Sequence, residues 1–162
     1  VLNGWRFVAL VLTALALTMT SAHLLELPQK MQYGATLYTA VNTTMYRYFA
    51  IVGGTYQVTS ILAAGVLAVL IRGRVPAFRW TLFATVCLAL AFISWILLVA
   101  PVNSQIGAAL RTSPQSVPAL WMQLRDRWEY GHATGFVIEL VGFCALVKSL
   151  LVEIPAVQAR SA

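Results

Sequence analysis

Between Phe78 and Ala100 the chain reads FRWTLFATVCLALAFISWILLVA, and after Arg79 no charged residue appears until Arg111. At about 1.5 Å rise per residue, a helix of this length crosses a hydrocarbon core of about 30 Å. Working outward, three further apolar runs of similar length occupy most of the remaining sequence. Spans are expected at about 5–27, 46–71, 78–100 and 128–152, each within the roughly 17–25 residues that a membrane helix needs. The predicted fold class is all-α: one four-helix transmembrane bundle covering residues 1–162, up-down-up-down, with short amphipathic segments in the non-cytoplasmic loops. The first run has an arginine before its apolar core, as a signal peptide does. It is longer than an h-region of about 7–15 residues and three further spans follow, so it is read as a membrane helix.

The formal charge is +6, but the basic residues are scattered over helix ends and offer no soluble face to a phosphate backbone, so nucleic acid is excluded as a partner. Arg72, Arg74 and Arg79 crowd the short turn between the second and third spans. Cytoplasmic loops are enriched in lysine and arginine, which puts this turn in the cytoplasm and both termini with it, in agreement with Arg6, Lys148 and Arg160. The opposite loops carry Lys30, Arg47, Arg111, Arg125 and Arg127, offset by Glu26, Asp126 and Glu129. The expected location is an integral cell membrane, of the bacterial inner-membrane kind. Cys87 and Cys144 each fall inside an apolar helix, where buried free thiols act as small packing residues.

The first helix is expected to stop at Pro28, which has no amide hydrogen for the ladder. His23 and Glu26, three residues apart, share one face near its outer end. The segment 29–47 is polar and aromatic, with Tyr33, Tyr38 and Tyr46; interfacial tyrosines explain it, and a lid over a pocket is the alternative. Small residues in the second span, Gly53-Gly54 and Ala63-Ala64-Gly65, permit close helix approach, while Gln57, Thr59 and Ser60 should face protein. The third span is expected to end at Pro101, followed by a loop from Asn103 to Met122. Val117, Leu120, Trp121, Leu124 and Trp128 recur at helical spacing and predict an amphipathic helix running into the last span. Gly131 and Gly135 have the four-residue spacing of close helix contacts.

An alternating bundle brings together the end of the first helix, the start of the second, the end of the third and the start of the fourth. His23, Glu26, Tyr46, Arg47, Asn103, Arg125, Arg127, Glu129 and His132 belong to those ends and are expected to share one pocket. Glu139 lies two turns below His132 on the same face. At that depth a carboxyl must be protonated or hydrogen-bonded. Three chemistries are compatible with this set. His23-x-x-Glu26 and Glu129-x-x-His132 each present an imidazole and a carboxylate on one helix face, a pattern for a single metal ion, iron or copper. His23 and His132 on neighbouring helices could instead hold haem. The third is a pocket without a cofactor, with His132 as general base and the Asn103 amide or an arginine stabilising negative charge. Trp121, Trp128, Tyr130 and Tyr46 suit a flat phenolic molecule.

Pro101-Val102-Asn103 after the third span, followed by Leu124-Arg125-x-Arg127-Trp128-x-x-x-His132 entering the fourth, resembles the DUF1772 or anthrone-oxygenase-like membrane proteins. The likeness in length and span number covers nearly the whole chain. It implies a membrane enzyme that oxidises anthrone- or quinone-like aromatics with molecular oxygen, without a bound organic cofactor. The positions it carries over are Asn103, Arg127, Trp128 and His132; Gly135 stands where many relatives have an arginine. The expected partners are the lipid bilayer and a hydrophobic small molecule, with a homo-oligomer or larger membrane complex open. A non-catalytic subunit binding haem, quinone or metal within such a complex is the rival function.

Overall fold

The computed structural model describes residues 1–46 and 48–153. They form α1 (Leu2–Lys30), α2 (Ala35–Thr44), α3 (Phe49–Leu70), α4 (Val75–Ser94), a π turn (Trp95–Val99), α5 (Ala100–Thr112), a 3-10 turn (Pro114–Ser116) and α6 (Val117–Leu151). There is no strand among the described residues, and four helical stretches are long and apolar enough to span a membrane. The chain is an integral membrane protein by that measure. Arg160 lies outside the described residues.

Three expected boundaries shift, each because a proline sits where a helix tolerates it. Pro28 lies inside the last two turns of α1, which continues to Lys30. One missing ladder bond so near a helix end does not stop the chain, and the Met31 amide still reaches the Leu27 carbonyl at 3.0 Å. Pro114 and Pro118 occupy first turns, where the missing amide would have no partner anyway, and Pro101 follows directly on the π turn, whose wider winding accommodates its ring. The stretch 103–122 is therefore mostly helical, not a loop. The amphipathic segment from Val117 does run unbroken into the last span, giving a 35-residue helix about 52 Å long. That exceeds a hydrocarbon core of about 30 Å, so its first turns extend beyond the span and pack with α5.

α6 runs opposite in direction to α1 and to α4. On α1 and α6, Arg6 pairs with Glu153, Thr20 with Glu139 and His23 with His132. On α4 and α6, Ser149 Oγ lies 2.6 Å from Thr81 Oγ1 and donates to the Ala77 carbonyl at 3.1 Å. α1 packs on α3 and α6, and α4 on α3 and α6, closing a ring of four. Ala63, Ala64, Leu67, Ala84, Leu88 and Ala145 fill one end of its interior. Tyr38, Val99, Val102, Ile106, Trp121 and Trp128 fill the other. Gln57 and Ser60 are buried and Thr59 half-buried, as their polarity required, and Cys87 is buried. Cys144 is exposed, so its packing role is not seen: its position on α6 turns it away from the bundle.

Of the two glycines singled out for close contact, Gly131 is the tight one. A Cβ there would meet Val99 Cγ2 at 2.9 Å and Leu98 Cβ at 3.1 Å, whereas at Gly135 the nearest atom is 3.7 Å away. Gly142, which sequence spacing passed over, approaches Cys87 Cβ to 3.1 Å by the same measure. Gly131→Ala is expected to destabilise the bundle by about 1–3 kcal/mol through overpacking, read from detergent-titration unfolding. Gly54→Ala, whose added carbon meets nothing within 4 Å, should leave the midpoint unchanged or slightly raised.

Candidate functional site

Where α1, α3 and α6 meet the π turn, a cavity of about 210 Å³ opens inside the bundle. Its centre is a pair of imidazoles. His23 of α1 and His132 of α6 stack with centroids 3.9 Å apart and planes inclined by 24°. Trp128 stands edge-on to both, at 5.0 Å from His23 and 4.4 Å from His132, and Tyr46 and Phe49 flank His23 at 4.7 and 5.5 Å. Of the residues expected to converge, His23, Tyr46 and His132 meet here, and Trp128 joins them.

Asn103 joins them from α5. Its Oδ1 accepts a hydrogen bond from Trp128 Nε1 at 2.8 Å, which leaves the amide NH₂ as the group free to donate toward the cavity it lines. The π turn delivers this residue and Trp95. Widening the helix just before Pro101 accommodates the proline ring and frees main-chain carbonyls, a device frequent at functional sites. Arg127 answers those carbonyls: its Nη2 donates to Leu97 O at 2.8 Å and its Nε to Leu98 O at 3.1 Å. Arg127 therefore braces the π turn and does not line the cavity.

Above the imidazoles lies a cap, fastened by a buried ion pair. Lys30, only 2% exposed, pairs with Glu129 Oε1 at 2.9 Å, and its ammonium sits 4.5 Å from the ring centres of both Tyr46 and Trp128. Tyr38 of α2, fully buried, donates its hydroxyl to the same Glu129 oxygen at 2.7 Å. Burial raises the Tyr38 phenol above its usual range and the Glu129 carboxylate raises it further, so it stays a hydrogen-bond donor. The described part of that segment, residues 29–46, is thereby a lid in geometry as well as an aromatic surface. Arg125 secures its approach, donating to the Tyr33 carbonyl at 3.3 Å.

No family model, curated protein or solved structure matches the chain. The site must be read from its own atoms.

Those atoms do not fit the metal set proposed from spacing, His23, Glu26, Glu129 and His132. Among the described residues no three His, Cys, Asp or Glu side chains converge on a point that could hold an ion. The reason is that Glu129 is engaged by Lys30 and Tyr38, and the imidazoles meet by their faces. A haem between His23 and His132 fails on the same geometry, since stacked rings at 3.9 Å leave no slot for a porphyrin. Glu26 is half-buried outside the cavity lining. Glu139, fully buried, accepts a hydrogen bond from Thr20 Oγ1 at 2.7 Å, as its depth demanded, and Thr20 forms part of the cavity floor. Tyr130 is exposed and takes no part. Arg47 lies outside the described residues.

Around the cavity several buried polar atoms have no hydrogen-bond partner among the described residues: His23 Nδ1, the Tyr46 hydroxyl and Trp121 Nε1. Buried polar groups are almost always satisfied. Orphans gathered round one cavity are what a hydrogen-bonding ligand would complete.

Proposed function

We propose that this chain is a membrane-embedded oxygenase-like enzyme acting on a hydrophobic aromatic, anthrone- or quinone-like molecule. One observation carries the reading: a buried imidazole pair and a donor-oriented Asn103 amide share an aromatic-walled cavity of about 210 Å³. This lies below the roughly 300–1,000 Å³ of pockets for drug-sized ligands, which favours a compact fused-ring molecule.

For an anthrone the chemistry balances with molecular oxygen as co-substrate. His132 takes a proton from the ring CH₂, and the electron pair delocalises onto the carbonyl oxygen, where the Asn103 NH₂ stabilises the charge. The carbanion passes one electron to oxygen and the resulting radicals join as a peroxide. Proton return from His132 and loss of water then leave the second carbonyl, so that one anthrone and one O₂ yield one anthraquinone and one water. Trp128 fixes the Asn103 amide, and Arg127 holds the π turn that carries it. The resemblance of the Asn103, Arg127, Trp128 and His132 pattern to anthrone-oxygenase-like proteins supports the same reaction.

In the orientation we favour, the chain crosses the membrane up-down-up-down, with the Arg72, Arg74 and Arg79 turn and both termini cytoplasmic and the cavity toward the other face. The test is oxygen uptake by the purified protein in lipid nanodiscs given dithranol, a dihydroxyanthrone. Uptake above that of empty nanodiscs, matched by anthraquinone formation, is expected. Saturable binding without uptake would leave a non-catalytic binding subunit instead.

A further inference from the structure

We propose that ligand enters the cavity sideways from the hydrocarbon phase, through a cleft between the first half of α3 and the π turn with α5. Its ligands are then bilayer-dissolved molecules with a flat apolar body and a hydrogen-bonding end. The inference deepens the reading above by naming route and physical class, and it does not depend on the oxygen chemistry.

Two sets of observations support it. The aqueous end is shut: Tyr38 is fully buried, the Lys30–Glu129 pair is sealed over Tyr46 and Trp128, and Tyr38, Trp121 and Trp128 pack edge to face at 5.4 and 5.7 Å. The side is open. α3 packs on α1 and α4, while the π turn packs on α4, α6 and α5, and α5 on α6, so among the described residues no helix packing closes the upper half of α3 against the π turn and α5. Ala50, Gly53, Gly54 and Gln57 line the cavity from one edge of this gap, Trp95 and Asn103 from the other. Ala50 is exposed although it lines the cavity, and a Cβ on Gly54 would enter open space.

The rim is apolar, with Ile51, Ile96 and Leu97 exposed beside it. Polarity begins inside, at Gln57, Asn103 and the nine-tenths buried Asn42. A molecule sliding in from lipid would leave its apolar body among rings and bring its polar end to those amides. Half-buried positions without side chains, Gly53-Gly54, are what let a flat body pass between two helices.

Lipid acyl chains should reach the cleft mouth when no ligand is present, which can be read without any enzymatic assay. Trp95, Trp121 and Trp128 line the cavity, whereas Trp5 and Trp80 do not. A Trp5→Phe/Trp80→Phe protein therefore emits from the cavity alone. Reconstituted in phosphatidylcholine brominated at mid-chain, its fluorescence should be quenched relative to unbrominated lipid, and Gly54→Leu or Ala50→Leu should cut that quenching at least two-fold. Circular dichroism confirms that each variant keeps its helices, and the second stands in if the first fails to insert. Emission indifferent to brominated lipid, or quenching that both plugs leave unchanged, would overturn the lateral route. Failure of the dithranol assay alone would remove the oxygenase reading and leave this one standing.

Discussion

His132→Ala is expected to lower dithranol-dependent oxygen uptake by about 100-fold or more, the usual contribution of a positioned general base. The argument is geometric. His132 is nine-tenths buried, lines the cavity, and is held by Trp128 at 4.4 Å and His23 at 3.9 Å, so its imidazole is fixed where a bound ring must lie. Hydroxyanthrones also oxidise without a catalyst, so the rate must be taken after subtracting empty nanodiscs. Dithranol should still quench the cavity tryptophans of the variant, showing that binding survives the loss of the base. A variant that consumes oxygen at the wild-type rate would remove His132 from the mechanism.

Lys30→Met should cost about 3–5 kcal/mol of stability, the largest effect expected away from the chemistry. Removing one partner of a buried ion pair leaves the other charge uncompensated, and here Glu129 would retain only the Tyr38 hydroxyl. Replacing both partners, as Lys30→Met/Glu129→Leu, should recover most of the loss, because two charges and their desolvation disappear together. Unfolding free energies of the wild type and three variants measure the coupling directly. Additive losses would mean that the pair does not fasten the cap.

The bundle was legible because membrane spans are a matter of length and polarity, and the run from Trp80 to Leu110 admits no other reading. The meeting of His23 and His132 follows from α1 and α6 running in opposite directions, since the two residues stand near ends that lie together. What escaped was local. Lys30 looked like a loop charge because Pro28 was read as a stop, yet at seven residues beyond His23 it falls on the same helix face, and that spacing was the available signal. Trp95 lay hidden in an unbroken apolar run, where nothing in composition marks a π turn. Tyr38 and Asn42 are ordinary interfacial residues until α2 folds over the cavity and buries them. Arg127 was assigned to the chemistry with its neighbours. Its carbonyl partners are open because Pro101 offers no amide hydrogen and the helix widens before it.

The chain contains two histidines, so histidine-selective ¹³C,¹⁵N labelling reports both rings of the site and nothing else. Solid-state NMR of that sample in lipid should show an inter-ring cross-peak between His23 and His132, and both ring signals should move when dithranol is added. Two imidazoles without a mutual cross-peak, indifferent to the ligand, would contradict a shared cavity built around them.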